Sequence, residues 1–164
     1  MAIKIRRTGH LVLSVKDLQR SKRFFTEVMG FKISGESDNG MIFFSPDFND
    51  NHHMLAIRQA KEGAEMPDKT RVGMDHVAYE LGSFAELQDA YRIFKDKGVT
   101  IHHTVFHGVT KSIYFLDPDG NMLEVYCNVP PDVYKKVVTN PFGFYSTIEE
   151  ELEGSSQKPG TVIP

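Results

Sequence analysis

Two histidines and one glutamate in this chain have the types and spacing to hold a metal ion. His10 opens the run His10-Leu11-Val12-Leu13-Ser14-Val15, and His76 opens His76-Val77-Ala78-Tyr79-Glu80-Leu81, 66 residues later. Glu124 lies inside the apolar run Met122-Leu123-Glu124-Val125, where a carboxylate is costly unless paired or bound to a cation. The matching segment 68 residues earlier, His53-Met54-Leu55-Ala56-Ile57, has Ala56 in the place of the glutamate. If equivalent positions converge, the set is two imidazoles and one carboxylate, with Ala56 contributing nothing. Such a set leaves up to three positions open on an octahedral metal, an arrangement suited to non-haem Fe(II) and oxygen chemistry, with Mn(II) as a substitute. A carboxylate at position 56 would instead favour Lewis-acid or proton-transfer chemistry. The single cysteine, Cys127, supplies neither a thiolate cluster nor an internal disulfide and reads as packing.

The elements that must position these residues form an internal repeat. After each histidine-led strand comes a helical pattern. Leu18, Phe25 and Val28 share a face in the first half, and Phe84, Leu87, Tyr91 and Phe94 do so in the second. Each helix ends at a glycine, Gly30 or Gly98, that leads into a strand. Two more strands follow in each half, Met41–Ser45 with His53–Ile57 and Ser112–Leu116 with Asn121–Val125. The last pair is joined by the turn signal Asp117-Pro118-Asp119-Gly120-Asn121. The chain is therefore expected to be a single α+β domain over 1–164. It comprises two β-α-β-β-β repeats at about 8–60 and 74–128, paired about a pseudo-twofold axis into a cupped mixed sheet around one metal. A tail over 129–164 completes it, with a helical turn or two over Asp132–Val138. Phe142, Phe144 or Tyr145 in that tail is expected to cap the pocket or a neighbouring subunit.

Composition narrows the classes. With 40% hydrophobic and 25% charged residues over 164 positions, the chain reads as globular rather than disordered. A net charge of −3 provides no basic stripe for nucleic acid, and no apolar run is long enough for a membrane span. The basic start, Lys4 to Arg7, is followed by no secretory apolar segment, so a cytoplasmic location is expected.

These residues together resemble the vicinal oxygen chelate superfamily of glyoxalase I, fosfomycin-resistance enzymes, bleomycin-binding proteins and extradiol dioxygenases. The resemblance spans about 8–128, and Tyr114 to Tyr126, with Asp-Pro-Asp-Gly-Asn inside it, looks like the closing hairpin of the family. Three features are similar to the type I extradiol dioxygenases, which cleave catechol or biphenyl-2,3-diol. These are the order His10, His76, Glu124; Tyr114, ten residues before Glu124; and His53 before Met54-Leu55-Ala56-Ile57.

The resemblance implies that His10, His76 and Glu124 bind Fe(II). It implies that His53 is the acid–base and that Tyr114 and His107, the latter in His107-Gly108-Val109, contact the substrate. His52 and His103 stand as substitutes for His53 and His107. The implied partners are an aromatic diol and dioxygen, in a homo-oligomer. Two rival readings are a metal-dependent thiol transferase of the fosfomycin-resistance kind and a metal-free binding module.

Overall fold

A computed structural model of the chain describes residues 2–68, 70, 72–137, 140 and 145–154. It divides into two compact units, Met1–Met66 and Pro67–Pro164. Each is built on a four-stranded mixed sheet, which bears out the α+β reading with a β-α-β-β-β order in each half.

The first unit runs β1 (Leu11–Val15), α1 (Leu18–Arg23), β2 (Lys32–Glu36), β3 (Ile42–Ser45) and β4 (Leu55–Gln59), with sheet order β1-β4-β3-β2. The Asp17 side chain caps α1 by accepting the Arg20 N–H at 2.9 Å. The pattern Leu18, Phe25, Val28 implied one continuous α-helix, but the backbone widens into a π turn over Phe24–Val28. Met29 N–H reaches back to Phe24 O and Phe31 N–H to Phe25 O. The wider turn rotates Phe24 inward beside Phe25, so both are buried, with ring centroids 5.3 Å apart. Phe25 then packs against Phe44 and Phe31 over the sheet.

The second unit runs β5 (Val77–Leu81), α2 (Phe84–Asp96), β6 (Ile101–Phe106), β7 (Thr110–Leu116) and β8 (Met122–Asn128), with sheet order β5-β8-β7-β6. The short helices α3 (Pro131–Val137) and α4 (Glu149–Leu152) follow. Ser83 accepts the Glu86 N–H, and the Glu86 carboxylate reaches back to Gly82 N–H, a capping-box variant that starts α2. The helix ends in a Schellman motif. Gly98 sits at φ +67°, its N–H bonds Lys95 O, and Val99 N–H bonds Phe94 O. Leu87, Tyr91 and Phe94 face the sheet as their spacing requires, and Phe94 lies 4.3 Å from Phe115.

The two sheets repeat each other in register. Val12 pairs with Ala56 and Phe43 with Ala56 in the first, as Ala78 pairs with Glu124 and Tyr114 with Glu124 in the second. Even the irregularity recurs, with a shift between Ile33 and Gly35 in β2 and between Ile101 and His103 in β6. Among the described residues no helix is long and apolar enough to cross a membrane.

Candidate active site

Strand alternation decides where the chemistry-bearing side chains point. Along β8, Leu123, Val125 and Cys127 are buried on the side that receives α2, which leaves Glu124 on the opposite face. Glu124 is nevertheless only 6% exposed. A carboxylate so placed requires a partner, and His76, just ahead of β5, places Nε2 3.0 Å from Glu124 Oε2. The other ring nitrogen, Nδ1, lies 2.8 Å from Asp75 Oδ2. His76 and Glu124 thus come together at one point in the second unit.

Tyr114 stands directly across from Glu124 in the β7–β8 ladder and shares its face. Its ring meets His76 edge-on at 5.1 Å, and its hydroxyl lies 3.2 Å from His107 Nε2. Burial first, then the negative charge of Glu124, pushes the Tyr114 phenol well above its ordinary range, so the hydroxyl keeps its proton as a donor. His107 leads into the two-residue turn Gly108-Val109 between β6 and β7, where Gly108 takes φ +88°.

His103, named from the sequence as a substitute for His107, lies beside Tyr114 as well. The extra residue in β6 sets His103 opposite Tyr114, and the rings stack at 4.3 Å with an 8° interplanar angle. His102 is the extra residue and lies at the surface.

In the first unit, His10 immediately precedes β1 and is exposed. Its ring lies 4.5 Å from that of His53, which in turn lies 5.2 Å from Phe43 and 4.4 Å from His52. His53 occupies the loop ahead of β4, and Asn51 Oδ1 accepts its backbone N–H. Burial, then the neighbouring charges of His52 and His10, lowers the His53 pKa and favours the neutral ring. Ala56 is fully buried beside Leu55 and Ile57 and carries no donor. Cys127 is buried, as its packing role requires.

The donor set fits a divalent metal in kind: imidazole nitrogens and one buried carboxylate, with no thiolate. Among the described residues neither unit alone gathers three His, Cys, Asp or Glu side chains around one point. His76 and Glu124 belong to one unit and His10 to the other.

The tail contributes one side chain here. Tyr145 is largely exposed and meets His107 edge-on at 5.0 Å, while Phe142 and Phe144 lie outside the described residues. Ser146 bridges to Phe106, Ile148 and Leu152 are buried, and Tyr91 donates towards Glu149 and Glu153.

The chain is similar to several known proteins. The biphenyl-2,3-diol 1,2-dioxygenase 3 of Rhodococcus globerulus is 34% identical over 121 residues, covering 73% of this chain and 62% of that protein. This chain therefore spans about three fifths of that relative's length. The metallothiol transferase FosB of Staphylococcus saprophyticus is 28% identical over 130 residues, covering 78% of this chain and 81% of that protein. Among solved structures, a glyoxylase/bleomycin resistance protein/dioxygenase domain from Frankia sp. EAN1pec superposes with a TM-score of 0.66. It shares 22% identity and covers 77% of this chain and all of its own. Residues 7–125 match the family described as the Glyoxalase/Bleomycin resistance protein/Dioxygenase superfamily, and the chain belongs to that superfamily.

Proposed function

We propose that the chain is an Fe(II)-dependent extradiol dioxygenase that opens a catechol-type ring next to its diol and inserts both atoms of dioxygen. One observation carries the reading. The pair His76 and Glu124 lies directly beside a buried Tyr114 whose hydroxyl is paired with His107. A phenol donor in that place is suited to a hydrogen bond with a diol oxygen. The likeness to biphenyl-2,3-diol 1,2-dioxygenase supports it.

In this reading His10, His76 and Glu124 hold the iron. Iron, when bound, supplies a point where both diol oxygens and dioxygen are brought together and activated. The Tyr114 hydroxyl donates a hydrogen bond to a substrate oxygen, and His107 Nε2 orients that hydroxyl and contacts the ring as it opens. His53, as a neutral imidazole, takes the proton from one diol oxygen and returns it to the product. Atoms balance without a further reductant: the carbon–carbon bond adjacent to the diol breaks, and both atoms of dioxygen enter the product.

The test is anaerobic loading with Fe(II), then catechol or 2,3-dihydroxybiphenyl in an oxygen electrode with absorbance followed alongside. Uptake matched mole for mole by a yellow ring-opened product is expected, and Glu124→Ala is expected to abolish both. Metal binding without oxygen uptake would overturn the dioxygenase reading. It would favour the second reading, a metal-dependent thiol transferase, which the match over four fifths of a metallothiol transferase's length supports.

A further inference from the structure

We propose that Asp75 is a positioning residue for His76. Its carboxylate holds the proton on Nδ1, so that Nε2 is the nitrogen presented to the metal. The inference rests on the reading of His76 and Glu124 as ligands, and it assigns a role to an acidic residue that the proposed reaction leaves unused.

The geometry is two-sided. Asp75 Oδ2 lies 2.8 Å from His76 Nδ1, and Glu124 Oε2 lies 3.0 Å from His76 Nε2. The Tyr114 ring meets the imidazole edge-on at 5.1 Å. A neutral imidazole has one N–H and one lone pair, and the hydrogen bond made by one nitrogen decides which role the other takes. With Nδ1–H directed at Asp75, Nε2, whose present contact is Glu124 Oε2, is the nitrogen whose lone pair a bound metal would take. A carboxylate behind a ligating histidine also makes the ring a stronger donor, and removing such a partner weakens metal affinity by about 10–100-fold.

The internal repeat provides a comparison. The position equivalent to Asp75 is Gly9, so His10 begins its strand without a carboxylate neighbour. Gly9 instead uses its carbonyl to accept Asn51 Nδ2 at 2.9 Å. The strand start therefore does not itself require an acid, and its presence beside His76 alone calls for a local reason. The Asp75 side chain is 92% exposed, which makes substitution benign for the fold.

The test is Mn(II) titration of the full chain, reading free Mn(II) by electron paramagnetic resonance, for the wild type and for Asp75→Ala, Asp75→Asn and His76→Ala. Thermal unfolding of each variant controls for fold. His76→Ala should remove binding, and Asp75→Ala should weaken it by about tenfold or more. Asp75→Asn keeps a neutral acceptor at Nδ1 and should recover most of the loss, at low and high salt alike. In Zn(II)-loaded protein with labelled histidine, the His76 proton should reside on Nδ1 and exchange slowly in the wild type but quickly in Asp75→Ala.

Equal Mn(II) affinity in the wild type and Asp75→Ala, with His76→Ala still abolishing binding, would overturn the inference alone. So would a loss shared fully by Asp75→Asn and erased by salt, which would mark a screened charge effect. A wild-type chain that takes no Mn(II) or Fe(II) would overturn the metal-site reading, and this inference with it.

Discussion

Tyr114 is the residue at which the account is most exposed. It faces Glu124 across the ladder, touches His76 with its ring edge and bonds His107 through its hydroxyl. Replacing it with phenylalanine keeps the ring and removes only the donor. Tyr114→Phe should therefore bind metal at the wild-type stoichiometry while kcat/KM towards a catechol falls by about 10–100-fold, the loss of one hydrogen bond of about 1.5–3 kcal/mol to a charged partner. Steady-state kinetics beside metal analysis checks both halves. At this scale the sequence was informative wherever a residue type clashed with its surroundings, as Glu124 does in an apolar strand. It offered His103 as a substitute for His107 but not its stacking on Tyr114, because a one-residue shift in a strand has no signature in composition and the stacked ring follows from that shift.

Among the elements, α2 and the C-terminal strap illustrate what periodicity can and cannot carry. The spacing of Leu87, Tyr91 and Phe94 named the buried face of α2 correctly, since a regular α-helix has one period and one apolar stripe. Phe94→Ala should accordingly cost about 3–5 kcal/mol in denaturant unfolding, given its full burial against Phe115. In the first unit the same reasoning missed the π turn at Phe24–Val28, because two adjacent phenylalanines fit either turn until packing chooses.

The strap is held partly by the Tyr91 hydroxyl on Glu149 and Glu153, at 3.1 and 3.3 Å. Burial, then hydrogen bonding to Glu149, pushes the Tyr91 pKa from 10.0 up to about 12. A folded value above the ordinary one means that this stabilisation is whole below pH 10 and is lost as pH rises through about 12. Tyr91→Phe should lower stability by about 1 kcal/mol at neutral pH. Cleavage of the strap by protease should rise between pH 10 and 12 in the wild type and much less in the variant.

Over the whole molecule, the repeat was the most legible feature. Two segments with equal order and nearly equal spacing predicted two β-α-β-β-β repeats, and each repeat carries its own four-stranded sheet with matching register. The repeats have also diverged: one unit holds His76, Glu124 and Tyr114, while the other has a histidine with Ala56 and Phe43 in the equivalent places. Because the proposed ligands come from both units, His10→Ala should lose metal as completely as His76→Ala. Equilibrium dialysis of the two variants checks this. Membership of the superfamily is shown by the match over residues 7–125, but its members differ in chemistry, so the activity has to be argued from the site itself.

The most direct test of the central claim is turnover of a catechol by the Fe(II)-loaded chain under dioxygen enriched in the heavy oxygen isotope, with mass spectrometry of the ring-opened product. A product opened beside the diol and carrying two heavy oxygen atoms is expected from the wild type, and no such product from Glu124→Ala. A product with one heavy atom or none, or an intact ring with iron bound, would contradict that claim.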